Sequence, residues 1–263
     1  IIHEAMRYSA LSNGKRIRPI LALETVNMFS SDYKKAMPAA VAIELAHCFT
    51  LVHDDLPSID DDDLRRGVLT NHKVYGDGMA LLAGDALLID AFRVISDFQK
   101  PLEVVPTVIS LLSNALSSNG VIGGQVVDIL AEKNSLKHDY ENLKYLHLNK
   151  TAKLIQASVL IGAEISQVER SKINILKDAS EKIRIAFQIK DDLLDVLGDV
   201  NKIGKNIGRD EELGKLTYPK VFGITQAKKM SDNLKFESID LLKQIDNSDK
   251  LIEIFEFLVD RNF

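Results

Sequence analysis

Two clusters of aspartates are the residues in this sequence best suited to chemistry. They lie in HDDLPSIDDDDLRRG, residues 53–67, and in FQIKDDLLDVLGD, residues 187–199. Each cluster sits beside apolar sequence with helical periodicity. Carboxylates placed against apolar helix faces are costly to desolvate unless a cation neutralises them. The clusters therefore predict sites for a hard divalent cation, which prefers oxygen ligands.

The second cluster has a simple helical geometry. Asp191 and Asp195 are four residues apart and share one face of a helix, while Asp192 is turned about 100° away. Two carboxylates of this segment can therefore point at one cation.

The first cluster needs a break in its helix. Asp54 and Asp60 are six residues apart and would lie about 120° apart on an ideal helix. Pro57, between them, cannot continue the helix comfortably. We therefore expect the segment 56–59 to bulge and to carry Asp60 back toward Asp54.

Magnesium bound by carboxylates usually keeps several waters and takes substrate phosphates as further ligands. Two facing aspartate clusters therefore predict a metal-bridged diphosphate. Cationic side chains should complete such an anion site, and seven residues beside the motifs are candidates: Lys15, Arg16, Arg18, Arg65, Arg66, Lys150 and Lys205.

Helical periodicity runs through almost the whole chain, without the alternation that marks strands. Pro19 and Pro38 are typical of first helical turns. The pattern predicts helices at 19–29, 38–56, 76–98, 103–118, 120–131, 138–149, 151–163, 171–197, 218–230, 232–245 and 248–261. The glycine-rich, charged segment 198–215 is predicted to be a mobile loop. An all-α fold with a single domain over residues 1–263 follows.

Composition excludes several classes of protein. The net charge of −5 argues against nucleic-acid binding, and the single Cys48 excludes an internal disulfide framework. No uninterrupted apolar run reaches the roughly 18 residues of a spanning helix, so we expect a cytoplasmic protein without stable membrane insertion. The chain opens at Ile1 rather than Met, so we expect N-terminal residues to be missing, and the sequence permits no statement on targeting.

The motifs together resemble a known family. GKRIRP, AHCFTLVHDDLPSIDDDDLRRG, GGQVVD, NKTAKL, FQIKDDLLDV, GK and YP occur in the order and approximate spacing of the trans-isoprenyl diphosphate synthases. The chain is most similar to the bacterial short-chain members that make farnesyl diphosphate. The resemblance implies a bundle of about ten or more helices around a deep central cavity, commonly as a homodimer.

The implied reaction joins an allylic diphosphate, dimethylallyl or geranyl, to isopentenyl diphosphate. The allylic diphosphate ionises, the double bond of isopentenyl diphosphate attacks the carbocation, and a proton and pyrophosphate leave. The implied product is (E,E)-farnesyl diphosphate. Metal ions and cationic side chains aimed at the developing charge would help the diphosphate to depart. The family uses Mg²⁺, with about three ions per active site once substrate is bound.

Read motif by motif, the resemblance assigns roles to residues. The implied magnesium ligands are Asp54, Asp60 and Asp191, with Asp55 and Asp195 in support. The allylic diphosphate is assigned to Arg65, Lys150 and Lys205. The metal-free pocket for isopentenyl diphosphate is assigned to Lys15, Arg18, His47 and Arg66. Thr151 and Gln188 would present oxygen dipoles to the carbocation, and Gln125 and Asp128 would line the same cavity.

Product length should depend on the residue that closes the cavity beneath the first aspartate motif. Phe49 lies five residues before Asp54, which is more than one helical turn deeper. In the resembled family, an aromatic residue at this place, together with the expansion containing Pro57, accompanies a C15 product. The alternative is that Phe49 is an ordinary core aromatic.

Other functions are compatible with parts of the pattern. A geranylgeranyl or geranyl diphosphate synthase of the same family differs only in product length. A class I terpene cyclase also ionises an allylic diphosphate, but its second metal motif usually mixes Asn, Ser or Thr with Glu, unlike DDLLD here. A catalytically inactive partner subunit usually lacks an aspartate motif or a basic residue, and none is lost here. A phosphohydrolase built on His53 and Asp54 lacks a clear motif for its other histidine ligands.

Overall fold

The computed structural model describes residues 1–132, 139–149, 152–197 and 217–260. Apart from one short hairpin, the regular elements in these ranges are helices, so the all-α prediction is confirmed. The α-helices are α1 (Ile2–Ala10), α2 (Ile17–Phe29), α3 (Met37–Asp54), α4 (Asn71–Tyr75), α5 (Asp77–Phe98), α6 (Val105–Leu116), α7 (Val121–Glu132), α8 (Tyr140–Asn149), α9 (Ala152–Ile165), α10 (Arg170–Leu197), α11 (Tyr218–Phe222), α12 (Ile224–Leu242) and α13 (Asp249–Asp260). Short 3₁₀ turns at Tyr33–Ala36 and Leu102–Val104 precede α3 and α6.

The hairpin was not expected from the sequence. Strand β1 (Leu64–Arg65) pairs antiparallel with β2 (Val68–Leu69), directly after the first aspartate run. Its two central residues, Arg66 and Gly67, have φ angles of 55° and 80°. Two consecutive positive φ values are typical of the type I′ turn, whose twist suits a two-residue hairpin.

Helices α2 and α9 lie at the centre of the bundle. One buried apolar cluster joins them to α3, α5 and α6, and a second joins them to α10, α12 and α13. The two helices approach closely at Gly162, where an added Cβ would collide with the carbonyl of Ala22 and the side chain of Thr25. The small residue therefore sets the spacing of the two central helices.

The C-terminal helices differ from the predicted division. The sequence predicted a break between residues 230 and 232, but the break lies at Gly223, with φ of 78°, and α12 continues to Leu242. Ser231 lies inside this helix, buried, and its hydroxyl donates to the carbonyl of Ala186 on α10 at 3.0 Å. The residue at the predicted break is instead a contact between α10 and α12.

Arg184 joins α10 to the end of α8. Its side chain is buried and donates from one guanidinium nitrogen to the carbonyl of Leu148 at 2.6 Å. Burial lowers the pKa of Arg184 below its ordinary value. The last carbonyls of a helix have no intrahelical donor, and a cation there is favourable. Arg184 therefore caps α8 from the neighbouring helix.

Two helical stretches of the described chain are long and apolar enough to cross a membrane, judged by length and composition alone. They are Tyr33–Asp54 and Leu102–Ala131, with mean hydropathies of 1.4 and 1.2. This differs from the sequence expectation, which counted only uninterrupted apolar runs. It is weak evidence for a span, because half of the first stretch is buried in the bundle and core helices pass the same test.

Candidate active site

The first aspartate segment turns back on itself as the argument from Pro57 predicted. Helix α3 ends at Asp54, and the amide of Ile59 donates to the carbonyl of Leu56 at 2.9 Å. The amide of Asp60 then donates to the carbonyl of Asp54, also at 2.9 Å. This bond brings the backbones of Asp60 and Asp54 side by side at the end of α3.

Asp55 has a different environment from its neighbour Asp54. Its side chain is buried and accepts two hydrogen bonds from Arg65, one from Nε at 2.8 Å. Arg65 also donates to Asp62 at 2.9 Å. Burial raises the pKa of Asp55, although the guanidinium beside it opposes this shift. In this structure the Asp55 carboxylate orients Arg65, and its supporting role at a metal stays a prediction.

The hairpin sends Arg65 and Arg66 to different places. Arg65 turns toward Asp55 and Asp62, whereas Arg66 crosses to the loop after α1, where it donates to Ser12 Oγ at 3.3 Å. The guanidinium of Arg66 lies so close to Gly14 that an added Cβ would come within 2.7 Å of it. The glycine of GKRIRP therefore leaves room for Arg66.

A cavity of about 160 Å³ lies between α2, α3 and α13. It brings together the four residues predicted to form one anion pocket, and four further polar or aromatic side chains join them. The polar and aromatic lining residues are Lys15, Arg18, His47 and Arg66, with Arg16, Glu44, Phe187 and Phe257. The Nζ of Lys15 lies 5.2 Å from the centre of the Phe257 ring, which brings α13 to the cavity wall.

His47 is neutral in this cavity. Its Nε2 lies 3.3 Å from a guanidinium nitrogen of Arg18, which can only donate, so Nε2 accepts and the proton sits on Nδ1. Burial lowers the pKa of His47 well below its ordinary value, and the charges of Arg18 and Arg66 lower it further. The cavity therefore gains a hydrogen-bonding group without a further charge.

Arg16 was one of the cationic candidates for the anion site, whereas no role was predicted for Glu44. Arg16 forms an ion pair with Glu44 and donates to the carbonyl of Ala10 at 3.0 Å, which holds the α1–α2 connection. Arg66 lies 3.9 Å from the same carboxylate. Glu44 is the single acidic residue of α3 before Asp54, and this isolated charge in an apolar helix was the available signal.

The second aspartate cluster lies near the C-terminal end of α10. Asp191 is exposed and Asp195 half-buried, whereas Asp192 is 3% exposed. One oxygen of Asp192 accepts from Gln188 Nε2 at 3.1 Å, and the other accepts from the backbone amide of Tyr218 at 2.8 Å. Asp192 therefore joins α10 to the start of α11, which leaves Asp191 and Asp195 as the candidate ligands of this cluster.

Gln188 and Gln125 each have one buried polar atom without a hydrogen-bond partner in the described part of the chain. The atoms are Oε1 of Gln188 and Nε2 of Gln125. A buried polar group without a partner is costly, so such atoms are candidates for contact with a substrate or water. Asp128, one turn after Gln125 on α7, is buried. Their contact with substrate stays a prediction.

Phe49 lies on α3 beneath Asp54 and is 6% exposed. Its ring packs edge to face against His53, with the centroids 4.9 Å apart, and it belongs to an apolar cluster with Ala80 and Leu87 of α5. His53 in turn lies against Gly84, where an added Cβ would collide with the imidazole. The close contact of α3 with α5 therefore holds the Phe49 ring in place.

The carboxylates of the two aspartate clusters are ligands of the type that Mg²⁺ prefers, and a magnesium site here stays a prediction. Asp54 and Asp60 offer hard oxygen ligands at the point where the chain turns back. Among the described residues, no group of three His, Cys, Asp or Glu side chains converges on one point. Three predicted site residues lie outside the described ranges: Lys150, Thr151 and Lys205.

Comparison with known proteins gave consistent matches. Residues 1–256 match the polyprenyl synthetase family model. The chain is 43% identical to a heterodimeric geranylgeranyl pyrophosphate synthase large subunit of Arabidopsis thaliana, over 95% of this chain and 68% of that protein. It is 38% identical to a farnesyl diphosphate synthase of Micrococcus luteus, over 99% of this chain and 89% of that protein. A crystal structure of an FPP/GFPP synthase from Zymomonas mobilis superposes with a TM-score of 0.89, at 34% identity, over 98% of this chain and 88% of that one.

Proposed function

The chain is a prenyltransferase that belongs to the polyprenyl synthetase family, and we propose that its product is (E,E)-farnesyl diphosphate. In the proposed reaction, isopentenyl diphosphate condenses first with dimethylallyl diphosphate and then with geranyl diphosphate. Each addition releases one pyrophosphate. A homodimer in the cytoplasm is the accompanying proposal, and light scattering after size-exclusion chromatography measures the oligomeric state.

One observation carries the proposed condensation: the side chains of two adjacent arginines in one hairpin lie in two different environments. Arg65 lies with the aspartates of the first motif, and Arg66 lines the cationic cavity. The reaction needs two diphosphate sites side by side, one rich in carboxylates for a metal-bound allylic diphosphate and one without them for isopentenyl diphosphate. Two adjacent anion sites of different character support a condensation better than they support hydrolysis or the cyclisation of a single diphosphate.

The cationic cavity suits the isopentenyl diphosphate. Four cationic side chains, Lys15, Arg16, Arg18 and Arg66, surround it, and Glu44 neutralises part of their charge. Neutral His47 accepts from Arg18 and would keep its Nδ1 proton for another acceptor. The excess of positive charge matches a diphosphate, which needs no metal here.

The allylic diphosphate would bind at the aspartates. Asp54, Asp60, Asp191 and Asp195 would hold Mg²⁺, which would supply neutralising charge for the departing pyrophosphate. Arg65, together with Lys150 and Lys205, would donate hydrogen bonds to the same leaving group. The oxygens of Gln188 and Thr151 would face the carbocation after the carbon–oxygen bond breaks.

Phe49 supports a C15 product. The buried ring lies on α3 below Asp54 and packs against His53, and at this place it would stop a chain growing from the diphosphate site. The principal alternative is geranylgeranyl diphosphate, because several of the similar proteins are named as geranylgeranyl diphosphate synthases. The two products differ by one isoprene unit, so the alternative changes the depth of the cavity and leaves the chemistry unchanged.

Incubation with labelled isopentenyl diphosphate tests the proposal. Dimethylallyl, geranyl and farnesyl diphosphates are supplied separately, with Mg²⁺ or with EDTA, and the dephosphorylated products are separated by chromatography. We expect Mg²⁺-dependent C15 product from the first two primers and none from the third. C20 product would support the geranylgeranyl alternative, a cyclic hydrocarbon would indicate a cyclase, and no incorporation by folded protein would refute prenyl transfer.

A matched pair of variants tests whether activity requires Asp60. Asp60→Asn removes a proposed metal ligand and should abolish incorporation. Asp63→Asn, three residues later, changes an exposed side chain that pairs with Lys73 at 2.7 Å, and it should retain activity. Equal activity of the two variants would contradict the proposed role of Asp60.

A further inference from the structure

We propose that Thr70 and His72 are positioning residues that fix the first aspartate segment and through it orient Arg65 toward the allylic diphosphate. The inference deepens the proposed function and rests on it, because it assigns Arg65 to that diphosphate. Neither residue belongs to the motifs that identified the site.

Thr70 holds the end of the aspartate segment with two hydrogen bonds. It is 1% exposed, and its amide donates to the carbonyl of Asp63 at 3.0 Å. Its hydroxyl donates to the carbonyl of Asp62 at 2.7 Å. One buried residue therefore fixes two consecutive peptide units of the segment.

His72 fixes the direction of the Thr70 hydroxyl. Its Nδ1 lies 3.1 Å from Thr70 Oγ1, and the ring is buried. The Thr70 hydroxyl oxygen and the Asp62 carbonyl oxygen are 2.7 Å apart, and the carbonyl can only accept, so the Thr70 hydroxyl is the donor. The Thr70 oxygen therefore accepts from His72, which places the imidazole proton on Nδ1.

Hydrogen bonds from the neighbouring residues connect this segment to α1. Asn71, between the two residues, donates from Nδ2 to the carbonyl of Ala5 and to Ser9 Oγ, both at 2.8 Å. The hydroxyl of Tyr8 donates to the carbonyl of Leu69 at 2.7 Å. The aspartate segment is thus held against a helix and does not depend on the hairpin alone.

Asp62 connects Thr70 to Arg65. The carboxylate of Asp62 accepts from the guanidinium of Arg65 at 2.9 Å, while the carbonyl of the same residue accepts from Thr70. If the Thr70 hydroxyl is lost, the Asp62 backbone can shift and its carboxylate no longer fixes Arg65. Arg66 is held separately by Ser12, so the cationic cavity should be less affected.

The test compares Thr70→Val with Thr70→Ser. Valine removes the hydroxyl at almost constant volume, and serine keeps it. Thr25→Val is the matched control, because Thr25 is also fully buried and its hydroxyl donates to a carbonyl, that of Leu21, at 2.8 Å. Steady-state kinetics with each substrate varied give separate KM values, and calorimetry measures the binding of Mg²⁺ with inorganic pyrophosphate without turnover.

We expect Thr70→Val to raise KM for the allylic diphosphate about tenfold and to weaken pyrophosphate binding by a similar factor. KM for isopentenyl diphosphate should change less than about twofold, Thr70→Ser should restore both values, and Thr25→Val should change neither. Unchanged allylic KM and pyrophosphate binding in folded Thr70→Val, or a failure of serine to restore them, would overturn the inference.

Two further comparisons apply if Thr70→Val does not fold or if the wild-type protein forms no product. If Thr70→Val does not fold, His72→Leu, which removes the donor to Thr70, is compared with His72→Asn, which keeps a donor, and the same readouts apply. If wild-type protein forms no product, the proposed function fails, and the pyrophosphate affinities of the variants still decide whether Thr70 organises the anion site.

Discussion

The substitution Phe49→Ala should lengthen the product by one isoprene unit, from C15 to C20. Phe49 lies about 7.5 Å below Asp54 along the axis of α3, and its ring is buried against His53. The six ring carbons occupy about the space of the five carbons of an isoprene unit. Alanine therefore opens roughly the room that one further addition needs.

The same substitution has a measurable cost in stability. Removing a buried phenylalanine side chain typically lowers the free energy of unfolding by about 3–5 kcal/mol. Part of this loss is the edge-to-face contact with His53, since such aromatic pairs contribute about 0.5–1.5 kcal/mol beyond the area they bury. Folding of the variant is therefore checked by circular dichroism before its products are analysed.

The assay is chromatography of dephosphorylated products from wild-type protein, Phe49→Ala and Phe92→Ala. Phe92 on α5 packs against the main apolar core, so its truncation should lower stability without lengthening the product. A C15 product from folded Phe49→Ala would refute the role of the ring as the floor of the cavity. A C20 product from wild-type protein would also refute it, because an intact ring would then not have stopped elongation.

Three further outcomes follow from contacts in the bundle. As pH falls below about 6.5, the ordinary pKa of histidine, His47 takes up a proton in the unfolded chain but resists protonation in the folded chain. Stability should therefore fall with pH, and His47→Gln should flatten this part of a pH series of urea denaturation curves. Arg184→Met leaves the Leu148 carbonyl without its donor and should lower the unfolding free energy by about 1–3 kcal/mol in denaturant titrations; a value indistinguishable from wild type would show that water replaces the cap. Asp192→Ala should speed hydrogen exchange of the Tyr218 amide, and unchanged protection of that amide would contradict the bond to α11.

Most of the helical bundle could be predicted because burial imposes a helical period on the sequence. Pro38 lies in the first turn of α3, as expected, and the predicted ends of α5 and α10 are within one residue of the observed ends. The hairpin could not be predicted in this way. Its strands have two residues each, too few to show alternation, and Arg66 adopts a left-handed conformation that is uncommon for arginine.

The candidate site, like the fold, could be predicted only in part. The residue types and their spacing predicted that Asp60 returns to Asp54, because proline disfavours the continuation of a helix beyond its first turn. They could not distinguish Asp54 from Asp55, since the partner of Asp55 is an arginine fixed by tertiary contacts. The contributions of Thr70 and His72 were hidden for the same reason: a buried hydrogen bond leaves no periodic pattern in the chain.

The hairpin should also limit the insertions and deletions that this part of the chain tolerates. Arg65 and Arg66 are consecutive, yet they lie at separate candidate anion sites, and the tight turn with two positive φ values sets the direction of each side chain. Inserting or deleting one residue would shift the register, and a shift of one residue reverses the faces of a strand. Length changes here should therefore exchange or empty the two sites together, whereas substitutions at exposed Leu64 or Val68 leave the register intact.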